Sequence, residues 1–80
     1  INVTSMRGMF LDATTFNQDI GSWNTSNVIG MRGMFERASS FNQNLSGWCV
    51  TNITSEPTDF ATSSILTEAN KPVWGTCPSD

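Results

Sequence analysis

The residues with the greatest capacity for chemistry in this sequence are two cysteines, Cys49 and Cys77, and a few carboxylates. Histidine is absent, so the chain lacks the most common general base and the most common metal ligand. The two thiols favour a disulfide over a metal site, because a metal ion would need further ligands. Two free thiols in a reducing compartment are the alternative interpretation.

The carboxylates are scattered along the chain. Asp12, Asp19 and Glu36 lack the close, oxygen-rich spacing of a calcium loop. An acid–base pair of Asp12 and Asp19 has little support, because nothing in the sequence indicates a pocket or a perturbed pKa. We therefore predict that the protein is not an enzyme, and that it uses no cofactor and no metal.

Composition narrows the class of partner. The formal charge is −3, the pI is about 4.5, and only four residues are basic, which argues against nucleic acid and against an anionic membrane surface. No apolar run approaches the roughly 18 residues of a membrane span. A chain of 80 residues forms one domain at most, and its thin core calls for a covalent staple.

The chain repeats itself with a period of 25 residues. The stretch MRGMFLDATTFNQDIGSW from residue 6 returns as MRGMFERASSFNQNLSGW from residue 31. Such self-similarity is typical of a solenoid, in which each unit must stack on a neighbour to bury its apolar face. We divide the single domain, residues 1–80, into a first unit (about 2–26), a second unit (about 27–51) and a C-terminal capping unit (about 52–80).

Each unit divides into two halves by its apolar spacing. Val3, Met6, Phe10 and Ala13 follow the three- and four-residue steps of a helix face. Gly8 and Gly33 would then lie mid-helix, where we expect close approach of successive backbones or tolerated surface glycines. The second half alternates, which predicts parallel strands at residues 16–20 and 41–45.

Within those strands, the inward Gln18 and Gln43 would bond each other as a glutamine ladder, since a lone buried amide is costly. We expect the large apolar side chains that recur in register to be buried. They are Met6, Phe10, Phe16, Trp23, Met31, Phe35, Phe41 and Trp48.

At this point the residues carry a family resemblance. The pattern V-T-S-M-x-x-M-F-x-x-A-x-x-F-N-Q-D-I-x-x-W-N-T-S-N-V resembles the repeat of BspA-like surface proteins, which are leucine-rich-repeat relatives, and the match covers residues 2–53. The resemblance implies a secreted or cell-surface protein used for adhesion, without catalysis. The predicted fold is α/β: a right-handed leucine-rich-repeat-like solenoid with one short parallel strand and one short helix per coil, closed by a disulfide-stapled C-terminal cap.

The two ends of the chain differ. In the last unit, Glu56 and Asp59 stand where the period places Met31 and Met34, as expected of a capping repeat with a polar outer side. Cys49 and Cys77 bracket this unit, and their disulfide would staple it. The chain begins in phase with the repeat and shows no N-terminal cap. We therefore expect further repeats, or another copy of the chain, to cover that end.

The exposed side of the predicted strands would carry Asn17 and Asp19 in one coil and Asn42 and Asn44 in the next. This polar face suits a polysaccharide or a protein on a host surface; simple solvation is the alternative. Two functions follow: an extracellular adhesive module, or a structural subunit of a fibre or stalk built by end-to-end stacking. The triplet Asn-x-Ser/Thr also marks four candidate glycosylation sites, although such triplets arise by chance in this composition. They are Asn2, Asn24, Asn44 and Asn52.

Overall fold

The described part of the chain contains almost no regular secondary structure. The computed structural model describes residues 3–78. Within them, the regular features are one short 3-10 helix, Glu68–Asn70, and one isolated parallel bridge between Ser5 and Gly30. The predicted α/β solenoid of helices and strands is therefore wrong, because neither α-helices nor a sheet form in this range.

Tandem turns replace the predicted helix. The N–H groups of Met9, Leu11 and Ala13 each donate to the carbonyl three residues earlier. Gly8 and Asp12 have left-handed φ angles of +64° and +60°, which an α-helix cannot accommodate. The second unit repeats these turns, with Gly33 at +65° and Arg37 at +58°. The apolar spacing of three and four residues therefore arises from consecutive turns.

The glycine pair is explained by backbone conformation. A Cβ atom on Gly8 would meet nothing within 4 Å, so the close approach that the sequence suggested is not the reason for the residue. Close approach occurs instead at Gly21, where a Cβ atom would lie 2.7 Å from the carbonyl oxygen of Asn44 in the next unit.

Asparagine side chains replace the predicted strand pairing. The side-chain oxygen of Asn17 accepts the backbone N–H of Asn42 at 3.1 Å, and that of Asn42 accepts the N–H of Thr67 at 3.2 Å. The Gln43 amide donates to the backbone and side-chain oxygens of Asn17, while Gln18 is exposed. At these positions asparagine side chains link the units, and the glutamine ladder does not form.

Three rows of hydrogen-bonded peptide groups hold the units in register. In the first row, the N–H of Gly8 donates to the carbonyl of Arg32 at 2.9 Å, and the same peptide group continues through the N–H of Gly33 to the carbonyl of Thr58 at 3.1 Å. In the second row, the N–H of Phe10 donates to the carbonyl of Met34, and the N–H of Phe35 donates to that of Phe60. In the third row, the N–H of Asp12 donates to the carbonyl of Glu36, and the N–H of Arg37 donates to that of Thr62. Each row crosses all three units, so the backbone itself joins the repeats.

The core is centred on the second unit, which lies between the other two. Met31, Phe35, Phe41 and Trp48 are buried there as predicted. Phenyl rings stack from unit to unit. The ring centroids of Phe10 and Phe35 lie 5.4 Å apart, and those of Phe16 and Phe41 lie 5.6 Å apart. The first unit is less complete. Met6 is buried and Phe10 and Phe16 are partly buried, but Trp23 is exposed, contrary to prediction.

Candidate functional site

The first unit exposes apolar side chains that the second unit buries. Three of them are 37–45% exposed, whereas their equivalents one repeat later are 0–1% exposed: Val3 against Val28, Met9 against Met34, and Trp23 against Trp48. We call Val3, Met9 and Trp23 the open face. With Met6 and Asn24 they line a groove of about 450 Å³. Clustered exposed apolar side chains of this kind mark contact surfaces in soluble proteins.

Polar groups on this side of the first unit also lack partners. The indole N–H of Trp48 donates to the carbonyl of Ile20 at 3.0 Å, a buried bond between units. Trp23 occupies the same repeat position, and within residues 3–78 its indole N–H finds no acceptor. In the second unit, the carbonyls of Arg32, Met34 and Glu36 accept N–H groups of the first unit. The equivalent carbonyls of the first unit receive no backbone hydrogen bond within residues 3–78; they belong to Arg7, Met9 and Leu11.

The opposite end of the stack is closed. Phe60 is buried, and the ring of Trp74 packs against it in an edge-to-face arrangement, with the two ring centroids 4.8 Å apart. The N–H of Val50 donates to the carbonyl of Thr76 at 2.8 Å. Cys49 and Cys77 form the disulfide that the sequence predicts. The last unit therefore covers the core on this side, although Ile65 and Val73 of the same unit remain exposed.

A lysine contact completes the cap. The ammonium group of Lys71 lies 2.8 Å from a carboxylate oxygen of Glu56 and 2.8 Å from one of Glu68. Hydrogen bonds to Glu56 and then to Glu68 raise the pKa of Lys71 above its ordinary value, because they stabilise the charged form. This link holds the 3-10 helix against the start of the last unit.

The polar face predicted from the sequence is exposed, and its four side chains are engaged by the backbone. Asn17 and Asn42 accept N–H groups from the following unit, as described above. Asp19 accepts the N–H of Gly21 at 3.0 Å, and Asn44 accepts that of Ser46 at 2.9 Å. Each residue therefore has a structural task in a turn or between units.

Three of the four candidate glycosylation sites are exposed: Asn24, Asn44 and Asn52. Asn24 accepts hydrogen bonds from both the N–H and the hydroxyl of Ser26 in its own triplet. The amide of Asn52 donates to the carbonyl of Ser26 at 3.2 Å. Asn2 lies outside the described residues.

The charged groups divide into paired and unpaired sets. The guanidinium of Arg37 makes a two-bonded contact with the carboxylate of Asp12, and a further bond to Glu36 at 3.1 Å. Arg7 and Arg32 line a shallow groove of about 220 Å³. Neither of these two arginines makes an ion pair with any other described residue. Glu36 and Asp59 line the same groove, so it carries side chains of both charges.

Residues 3–78 lack two features of other functional classes. No group of three or more histidine, cysteine, aspartate or glutamate side chains in this range could hold a metal ion. No helix of the described chain is long and apolar enough to cross a membrane. The open face is the candidate site because it combines exposed apolar side chains with a groove.

Sequence reasoning missed the Asp12–Arg37 pair and the Trp48 bond to Ile20. A signal for the first was present, since opposite charges occupy the same repeat position 25 residues apart. The second had no comparable signal, because the carbonyl that accepts from an indole depends on how the turns are folded.

The chain matches a known protein family. The family described as "Mycoplasma protein of unknown function, DUF285" matches residues 1–74. No curated protein and no solved structure matches the chain.

Proposed function

We propose that this chain, which belongs to the DUF285 family, is a non-catalytic interaction module that works outside the cell or at its surface. The observation that carries the proposal is the open face. A cap closes one end of the stack, whereas the other end leaves Met9 and Trp23 exposed beside a groove of about 450 Å³. Buried aromatic and methionine side chains are frequent at the centre of protein interfaces.

Two observations support an extracellular setting. The disulfide between Cys49 and Cys77 persists in oxidising surroundings, and Cys77 is exposed to solvent, where a reducing cell would act on it. The repeat also resembles that of BspA-like surface proteins, which supports adhesion to a surface protein or a polysaccharide as the use of the module.

A second candidate is a structural subunit of an extracellular fibre. It is favoured by the rows of peptide hydrogen bonds, which join the units without any specialised side chain at the crossing. Backbone hydrogen bonds of this kind can be repeated along the axis of the stack, and they could continue at the open face.

The interaction module is tested by a substitution that places a charged side chain on the open face. Beads coated with the protein are applied to a panel of immobilised polysaccharides and extracellular proteins. Met9→Lys should reduce attachment about tenfold or more, because a lysine in a contact centre must be desolvated. The melting temperature should change little, since Met9 is 45% exposed.

The matched control is Ile65→Lys, which changes another exposed apolar residue, in the cap and away from the open face. This variant should attach like the wild type. If beads carrying Met9→Lys attached like the wild type and beads carrying Ile65→Lys lost attachment, the contact would lie on the cap. That result would contradict the proposal.

A further inference from the structure

We infer that the polar face, formed by Asn17, Asp19, Asn42 and Asn44, binds a neutral polysaccharide through the amide NH2 groups of its asparagines. The inference goes beyond the proposed function, because it assigns a ligand to a surface other than the open face. Within each of these asparagines the side-chain oxygen stabilises the fold, which leaves the nitrogen for a ligand.

The backbone fixes the orientation of each amide. The Oδ1 atom of Asn17 accepts the N–H of Asn42 at 3.1 Å, and that of Asn42 accepts the N–H of Thr67 at 3.2 Å. The Oδ1 atom of Asn44 accepts the N–H of Ser46 at 2.9 Å. A backbone N–H is only a donor, so the oxygen of each amide must face it and the NH2 group takes the other position.

Each of these oxygens also accepts a second donor, from a side chain of its own or the following unit, which fills its acceptor capacity. These donors belong to Gln43, Asn70 and Ser46. Within residues 3–78, the nitrogen atoms of the three amides make no hydrogen bond. Because all three asparagines are exposed, the polar face presents a set of neutral N–H donors whose orientation the fold has already set.

The charge of the polar face selects an uncharged ligand. Asp19 has the repeat position of Asn44, and its carboxylate accepts the N–H of Gly21 at 3.0 Å, while its second oxygen makes no hydrogen bond within residues 3–78. This carboxylate and the net charge of −3 repel a polyanion such as a polyuronate or a sulfated glycan. A sugar hydroxyl, by contrast, accepts from the amides and donates to the carboxylate.

The repetition along the stack favours a polymer. The ring centroids of Phe16 and Phe41, which have the same repeat position, lie 5.6 Å apart, and the donor of Asn17 recurs one unit later at Asn42. A polysaccharide repeats its acceptor oxygens once per sugar at a comparable spacing. One chain lying along the stack therefore meets donors from two consecutive units.

A protein partner fits the polar face less well. The apolar residues of the same segments, Ile20, Phe41 and Leu45, are buried in the core. The four side chains that define the face are all polar, whereas protein interfaces are built around an apolar centre. The surface is therefore suited to a ligand that is recognised by hydrogen bonds alone.

The experiment exchanges a donor for an acceptor while the structural hydrogen bond is kept. Asn17→Asp and Asn44→Asp each retain an oxygen for the backbone N–H and replace the NH2 group with a second oxygen. The protein already contains such an exchange, since Asp19 and Asn44 hold equivalent turns. The probes are native gels that contain dextran, galactomannan or xyloglucan, with polygalacturonate as the acidic comparison. Mobility is measured relative to a gel without polysaccharide, which corrects for the added charge.

We expect at least one neutral polysaccharide to retard the wild type, and polygalacturonate to have no effect. Each aspartate variant should bind about three- to tenfold more weakly, roughly the worth of one hydrogen bond. Urea denaturation checks that the variants are folded. If Asn17→Asp is unstable, Asn44→Asp decides the test, because the first unit already carries that change.

Thr51→Asp provides the control for charge. Thr51 is exposed, lies outside the polar face, and makes no side-chain hydrogen bond within residues 3–78. The variant adds one carboxylate, as the two test variants do, and should be retarded like the wild type.

Three results would overturn the inference. The first is a wild type that no neutral polysaccharide retards, and the second is equal retardation of the wild type and both test variants. The third is binding to immobilised proteins alone that Asn44→Asp abolishes, because the partner would then be a protein. Met9 is not part of the polar face, so the effect of Met9→Lys on bead attachment tests the proposed function independently of these gels.

Discussion

Asp12 and Arg37 occupy the same position of two consecutive units, and their side chains pair across the boundary between those units. Both residues have left-handed backbones, with φ angles of +60° and +58°. Such angles are unfavourable for residues with a Cβ atom and persist where the surroundings enforce them. Here the turn sets the backbone, and the second bond of the pair, from Arg37 Nη2 to Asp12 Oδ2, measures 3.0 Å.

The ion pair predicts a dependence of stability on pH. The hydrogen bond from Arg37 lowers the pKa of Asp12 below its ordinary value. A carboxyl group with a lowered folded-state pKa contributes stability above its unfolded pKa of about 3.9 and loses it as the pH falls through the folded value. Asp12→Asn should therefore flatten the acid limb of urea midpoints measured between about pH 2 and 7. An acid limb as steep as that of the wild type would contradict this role.

Left-handed turns predict unequal costs for two glycine substitutions. Gly33→Ala should lower the free energy of unfolding by about 1–2 kcal/mol, because alanine is strained at a φ of +65°. Gly47→Ala is the control, since φ is not left-handed there and an added Cβ would meet nothing within 4 Å. That change should stay within about 0.5 kcal/mol. Equal costs for the two in urea denaturation would refute the turn geometry.

The asparagine contact between units predicts a stability effect on the polar face. Asn17→Ala removes the acceptor of the Asn42 N–H and should cost about 0.5–1.5 kcal/mol. Asn17→Asp retains an acceptor oxygen and should lose less. Chemical denaturation of the two variants measures the difference. If alanine costs nothing, the side chain is free to serve binding alone.

The aromatic core predicts a large loss at its centre. Phe35 is fully buried and contacts the rings of Phe10, Phe41 and Phe60. Phe35→Ala should cost about 3–5 kcal/mol, the usual range for a buried phenylalanine. The exposed Ile65 supplies the control, since Ile65→Ala should change stability by less than about 0.5 kcal/mol. A small effect at Phe35 would contradict the stacked arrangement.

The disulfide predicts a covalent contribution to the cap. Cys49 and Cys77 close a loop with a sequence separation of 28, which is worth about 3–4 kcal/mol on the chain-entropy account. Replacing both by serine should lower the free energy of unfolding by about that amount. Mass spectrometry without reductant should show a chain lighter by two hydrogen atoms than the reduced form, and free thiols under oxidising conditions would refute the bond.

The disulfide and the buried side chains of the second unit could be derived from the sequence. The local conformation could not, because a spacing of three and four residues fits one face of a helix and also a series of turns. Gly8 and Gly33, recurring inside the supposed helix, were the available warning. Left-handed φ angles at Asp12 and Arg37 carry no such warning, since neither residue is a glycine.

The rows of peptide groups have an electrostatic consequence. Each peptide group carries a dipole of about 3.5 D, and dipoles aligned head to tail add together. Because the three rows run in one direction, the open face is their negative pole and the last unit their positive pole. Glu56, Asp59 and Glu68 all belong to the last unit, where negative charge is favoured. A chain with so little helix along residues 3–78 thus acquires the axial polarity of a helix.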